Sequence, residues 1–155
     1  MDEQQKEEQT QEEESTTLEI DDISVCRDLY NCGNITKLAK GKTTVRFVPD
    51  EHMVMDRSER NQLIHSGYIF NAAAYAAMVT INKRHSIMIA CDVKFLAPIE
   101  LGHEMFFHAQ SLQDDSKKCE VKVEGYLLDI KIFDALFHIA VFDKAPFSIA
   151  LEKMN

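Results

Sequence analysis

The hydrophobic pattern of the chain changes period near residue 83, and its two regimes predict different elements. Positions 65–82 read His-Ser-Gly-Tyr-Ile-Phe-Asn-Ala-Ala-Ala-Tyr-Ala-Ala-Met-Val-Thr-Ile-Asn, with no charged side chain between Ser66 and Asn82. A helix without a charged face is buried on nearly every side. The alanines at 72, 73, 74, 76 and 77 favour helix and are thin enough for other backbone to close around them. After Asn82-Lys83-Arg84 the period becomes 2. Ile87, Ile89, Cys91, Val93 and Phe95 alternate with Ser86, Met88, Ala90, Asp92 and Lys94, which predicts a half-buried strand. Further strands are predicted at 103–111, 119–128 and 132–142, separated by Ala97-Pro98, Leu101-Gly102 and the polar run 113–118. Val121, Val123 and Gly125 share one face of the second of these strands. Phe133, Ala135, Phe137, Ile139 and Val141 share one face of the last, whose other face carries Leu136, Ala140 and Phe142 and is expected to be covered as well.

Upstream of the helix, 35–38 and 43–48 read as two short strands about Lys40-Gly41-Lys42. A short helix or turn over 18–30 and the turn cluster Asn31-Cys32-Gly33-Asn34 precede them, and a charged connector over 51–64 leads into the helix. Strand, buried helix, then four strands on short turns predicts an α+β domain with an antiparallel sheet wrapped around one long central helix.

Charge separates the first residues from this domain. Seven of the 26 acids but only one of the 17 bases lie in the first fourteen positions, so the net charge of -9 belongs mostly to that segment. Residues 1–17 are rich in Gln, Glu, Ser and Thr and lack aromatics, which predicts a disordered acidic tail followed by a single domain over 18–155. No basic stripe with interleaved aromatics points to nucleic acid. No apolar run is long enough to span a bilayer and no apolar signal region opens the chain, so a cytoplasmic protein without membrane partners is expected. Cys26, Cys32, Cys91 and Cys119 have neither C-x-x-C nor zinc-like spacing, which favours reduced thiols and no metal.

The order of elements, with His65-Ser66-Gly67 at the helix start, the Ala-rich helix, and then Cys91-Asp92-Val93-Lys94-Phe95, Pro98 and Leu101-Gly102-His103-Glu104, resembles the hotdog-fold family of acyl-CoA thioesterases and acyl-CoA-binding proteins. The resemblance runs over roughly 35–143. It implies a homodimer or higher homo-oligomer with sites between subunits, and an acyl-CoA or similar thioester as ligand. It implies no cofactor beyond the coenzyme A that the ligand carries. The chain is also similar to the ligand-binding domain of the bacterial repressor that senses malonyl-CoA, a hotdog domain that does not hydrolyse. In place of that repressor's DNA-binding part stands the acidic tail.

Thioester hydrolysis needs donors for a carbonyl oxygen that gains negative charge, and a carboxylate to attack or to activate water. Gly67, in the first turn, permits close approach to the free N–H groups of a helix start. Beside it, His65 is a candidate for positioning thioester or water. In one major branch of the family the acid lies nine residues after the histidine, and here that residue is Ala74. Asn61 lies near the family's water-positioning Asn, and Asp56 and Glu59 are carboxylates of the connector. The catalytic candidates are therefore Asn61, His65, Gly67 and Asp56. The ligand-binding candidates are Ser66, Phe70, Asn71 and Tyr75, the last two four apart on one helix face, with Arg84 and Lys94 for coenzyme A phosphates. The expected function is binding of a fatty acyl-CoA or related thioester with weak or no hydrolysis. The alternatives are an active thioesterase drawing its acid from the connector, and a structural or partner-binding protein with a vestigial pocket. Asp134 and His138 share a face of the last strand and are expected to pair.

Overall fold

In the computed structural model, which describes residues 18–114 and 117–145, one antiparallel six-stranded sheet packs against one α-helix. The acidic tail expected over 1–17 lies outside the described residues. Strands β1 (Asn34–Ala39) and β2 (Lys42–Phe47) form a hairpin through Lys40-Gly41. Helix α1 (Ser66–Ile81) follows, then β3 (Ser86–Phe95), β4 (Met105–Asp114), β5 (Lys118–Leu127) and β6 (Ile130–Val141). The sheet order is β1-β2-β4-β5-β6-β3, so β1 and β3 are its two edges. This is the α+β class and the antiparallel pairing that the hydrophobic pattern predicts.

Each end of α1 is set by a single residue. His65, in extended conformation, accepts the Gly67 N–H on Nδ1 at 2.9 Å. At the other end Asn82 adopts the left-handed conformation (φ 52°) that short polar residues tolerate, and its N–H donates to the Met78 carbonyl. The helix has 16 residues, which at 1.5 Å each makes it about 24 Å long. Ala72, Ala73, Ala76 and Ala77 are wholly buried where α1 lies over β2, β4 and β5. With no side chain beyond Cβ, they let the helix sit close to Phe47, Met105, Phe107, Val121 and Val123, which are also sealed from water. Thr80 and Thr43 are the buried polar pair of this contact, their hydroxyls 2.9 Å apart, and Thr80 also donates to the Ala76 carbonyl.

The alternation expected in β5 and β6 is observed: Val121, Val123, Gly125, Phe133, Ala135, Phe137 and Ile139 all face the core. Gly125 is there for space. A Cβ on it would lie 2.8 Å from both Phe107 Cε1 and Phe133 Cβ, and those two rings meet edge to face with centroids 5.6 Å apart.

Strand β3 departs from its pattern. Of the face predicted to be buried, Ile87, Ile89 and Phe95 are 43%, 57% and 46% exposed, and Cys91 is exposed too. Two causes combine. β3 is an edge strand paired only to β6, and a register shift between Met88 and Ala90 interrupts the alternation. Met88 and Val93 are the β3 side chains packed on the core.

The connector before α1 folds back on the helix start. Single bridges join Val54 to Ile64 and Leu63 to Glu100, and the His65 N–H donates to the Met53 carbonyl at 2.9 Å. Among the described residues no helix is long and apolar enough to cross a membrane.

Candidate functional site

The hydrogen bond that caps α1 also sets the chemistry of its first turn. Because His65 Nδ1 accepts from the Gly67 N–H, the proton of the neutral imidazole sits on Nε2, and the ring offers that N–H as a donor. The Gly67 N–H, expected to be free for a ligand, is engaged by the cap. The glycine is required for the same contact, since a Cβ there would stand 2.8 Å from His65 Nδ1. The donor at this helix start is thus the histidine ring, and the backbone of Gly67 serves to hold it.

His65 and Gly67 line an open depression of about 540 Å³ together with Tyr30, Asn31, Tyr68 and Asn71. The rings of His65 and Tyr68 stand edge to face, 6.2 Å apart. Asn71 Nδ2 donates to the Asn31 carbonyl at 3.3 Å, leaving its Oδ1 and second N–H without a partner among the described residues. No carboxylate, lysine or arginine lines the depression. Three residues singled out in the sequence, His65, Gly67 and Asn71, are brought together, with Ser66 exposed between the first two. Tyr30, Asn31 and Tyr68 had not been singled out. A large aromatic next to a turn cluster was the signal for Tyr30 and Asn31, but nothing local ties that turn to a helix forty positions away.

The other candidates lie elsewhere. Asp56 is fully exposed and accepts both the N–H and the hydroxyl of Ser58, bonds that hold its carboxyl below the usual range. Asn61 is exposed in the connector, where its carbonyl accepts the Leu63 N–H. Neither lines the depression. Phe70 packs on the core, its ring 5.7 Å from that of Phe137. Tyr75 lines a different depression, with Cys26 and Arg27, and burial pushes its hydroxyl pKa up. Arg84 is exposed just beyond α1, and Lys94 is exposed on β3 opposite Asp134. Ala74, at the position where one branch has its acid, is packed against the core.

The pairing expected of Asp134 with His138 is replaced by cross-strand pairs. Asp134 Oδ1, shielded from solvent, meets Lys122 Nζ of β5 at 2.5 Å, and this holds its carboxyl below the usual range. His138 lies 3.6 Å from Glu120 instead. Neighbouring strands bring residues that are directly opposite, as Glu120 and His138, or diagonal, as Lys122 and Asp134, closer than residues four apart on one strand.

A HP0420 homologue from Helicobacter felis shares 35% sequence identity with this chain and superimposes with a TM-score of 0.77, over 84% of this chain and 91% of that one. Cj0977, a sigma28-regulated virulence protein from Campylobacter jejuni, shares 31% identity with a TM-score of 0.76, over 82% of this chain and 98% of that one. The chain belongs to the hotdog-fold thioesterase-like family. Within the same fold, a hypothetical thioesterase protein from Streptococcus pneumoniae solved with coenzyme A has 13% identity and a TM-score of 0.63, over 70% of this chain and 84% of that one. A methylthioribose-1-phosphate isomerase from Aquifex aeolicus is 33% identical over 105 residues, 68% of this chain, but the chain spans only 22% of that enzyme's length. No family model matches the chain.

Proposed function

We propose that the protein is a cytoplasmic homodimer that binds a fatty acyl-CoA or related thioester at the start of α1, with weak or no hydrolysis. The observation that carries this reading is the depression in which the His65 ring, Asn71 and Tyr68 converge without a carboxylate among its lining residues. The binding part is supported by the fold shared with the thioesterase solved with coenzyme A. Weak turnover is supported by the chemistry that is lacking: Ala74 offers no acid, and Asp56, tied to Ser58, is outside the depression. A neutral ring donor and amide groups bind and polarise a carbonyl, but they do not activate water.

Homodimerisation is supported by the open β3 edge with its exposed Ile87, Ile89 and Phe95. An edge of this kind pairs readily with another strand. In such a dimer the two sheets would run on as one across their β3 edges.

Calorimetry with a non-hydrolysable acyl-CoA and a thiol-release assay test the reading. The wild type should bind measurably and release thiol on the order of a thousandfold more slowly than a working thioesterase. His65→Asn keeps an N-cap but removes the ring donor, so it should weaken binding with little change in melting temperature. Asp56→Asn should change neither binding nor turnover. Brisk turnover abolished by Asp56→Asn would establish the thioesterase with a connector acid, and failure to bind any acyl-CoA would overturn both.

A further inference from the structure

Residues 18–33 form a strap along α1 that ends at the depression. Near its beginning it is tied to the end of the helix. Ser24 N–H donates to Asn82 Oδ1 at 2.7 Å, and Asn82 Nδ2 donates to the Asp22 carbonyl at 3.0 Å. Near its end the Asn31 carbonyl accepts from Asn71. The two ties are eleven helical positions apart, about 16 Å along the axis. Ile23 and Cys32 are buried, and Arg27 closes the strap's own turn by donating to the Ile23 and Asp21 carbonyls at 2.5 and 2.6 Å. The backbone between these ties is therefore well held.

That held backbone carries an aromatic side chain into water. Tyr30 is 84% exposed, although it lines the depression with His65, Gly67, Tyr68 and Asn71. Asn31, in the left-handed conformation (φ 59°), makes the turn that follows it, and the Cys32 thiol donates to the Leu29 carbonyl. Packing within the chain does not account for so exposed a ring on so fixed a support. The lining offers aromatic faces, amides and hydroxyls, and no charge.

We propose that the strap is one wall of the ligand site and that Tyr30 determines specificity there, its ring covering the uncharged, amide-containing arm that joins the thioester to the phosphates of the carrier. This rests on the acyl-thioester reading above and adds to it the part of the ligand that is recognised. Tyr30 and Tyr68 pack against the arm, and the free groups of Asn71 meet its amides. The phosphates stay outside, because nothing cationic lines the depression. The same chemistry is presented by coenzyme A and by a bare acyl-pantetheine.

The chain has no Trp, so Tyr30→Trp installs a single indole reporter. Its emission should shift on adding a non-hydrolysable acyl-CoA or the corresponding acyl-pantetheine, while Leu128→Trp, on an exposed turn, should not respond. By calorimetry Tyr30→Ala should weaken both ligands by about five- to tenfold, the loss expected for one aromatic contact, with an unchanged melting temperature. Acyl-pantetheine should bind wild type within about tenfold of acyl-CoA. If wild type binds acyl-CoA but Tyr30→Ala binds equally well and the indole is silent, the strap proposal is overturned and the acyl-thioester reading stands. If pantetheine loses all binding while coenzyme A retains it, phosphate recognition dominates and the proposal also fails. No binding of either ligand to wild type would remove the underlying reading and this proposal with it.

Discussion

At the residue scale the protein depends on contacts that only one side chain could make. Gly125 is the clearest, because the edge-to-face pair of Phe107 and Phe133 occupies the space of its missing Cβ. Gly125→Ala should therefore destabilise by about 1–3 kcal/mol, the usual cost of overpacking a well-filled core. Urea denaturation would show it as a lower midpoint at unchanged slope. Asp134 supports a prediction of a different kind. Its ion pair with Lys122 places its pKa below the unfolded value, so its stabilising contribution is complete above about pH 4 and is lost as pH falls through the lower, folded value. Asp134→Asn should lower stability near neutrality and leave a flatter acid limb below about pH 4. Thermal melts at pH 7, 4 and 2.5 would measure both, and an acid limb as steep as that of wild type would show that other carboxylates carry it.

At the element scale β3 is an edge strand with apolar residues left uncovered. Ile87, Ile89 and Phe95 form an apolar edge facing water, while the equivalent alternation in β5 is sealed beneath α1. A charge placed at this edge should disrupt pairing between copies without touching the core of one chain. Ile89→Asp should thus convert a dimer to a folded monomer, read by light scattering on a sizing column, with circular dichroism confirming the sheet. An unaltered dimer would place the interface elsewhere. The helix, by contrast, is complete at both ends. His65 and Asn82 close it, and its alanine face accounts for its closeness to β2, β4 and β5.

At the scale of the whole molecule, the sheet and helix make a scaffold that positions one turn of α1 beside one turn of the strap. The scaffold is shared with proteins of low sequence identity, among them a thioesterase solved with coenzyme A. The groups in the depression are set by individual side chains. They include a histidine whose tautomer is set by a glycine two residues on, and an asparagine half engaged by the strap. Acyl-thioester binding that outlasts turnover is the behaviour this combination predicts, and the calorimetric and thiol-release measurements check it on the intact chain.

What the sequence determined by itself is what local periodicity encodes. The charge-free run at 65–82 specified a helix, matched by Ser66–Ile81, but not cover on every side: Ala72, Ala73, Ala76 and Ala77 are buried while Tyr68, Asn71, Ala74 and Tyr75 are only half-buried. Strict alternation specified the inward faces of β5 and β6 because both neighbours of each strand are present in one chain. His65 and Gly67 were legible as a helix start for the same local reason. Sheet order decided the rest. Whether the alternating residues of β3 are buried depends on its being an edge, and whether Asp134 meets His138 or Lys122 depends on which strand lies alongside. The wall of Tyr30 and Asn31 required a strap to fold back across a helix forty residues downstream. Burial and pairing across such distances are set by the position of whole elements, which the pattern within any one element does not contain.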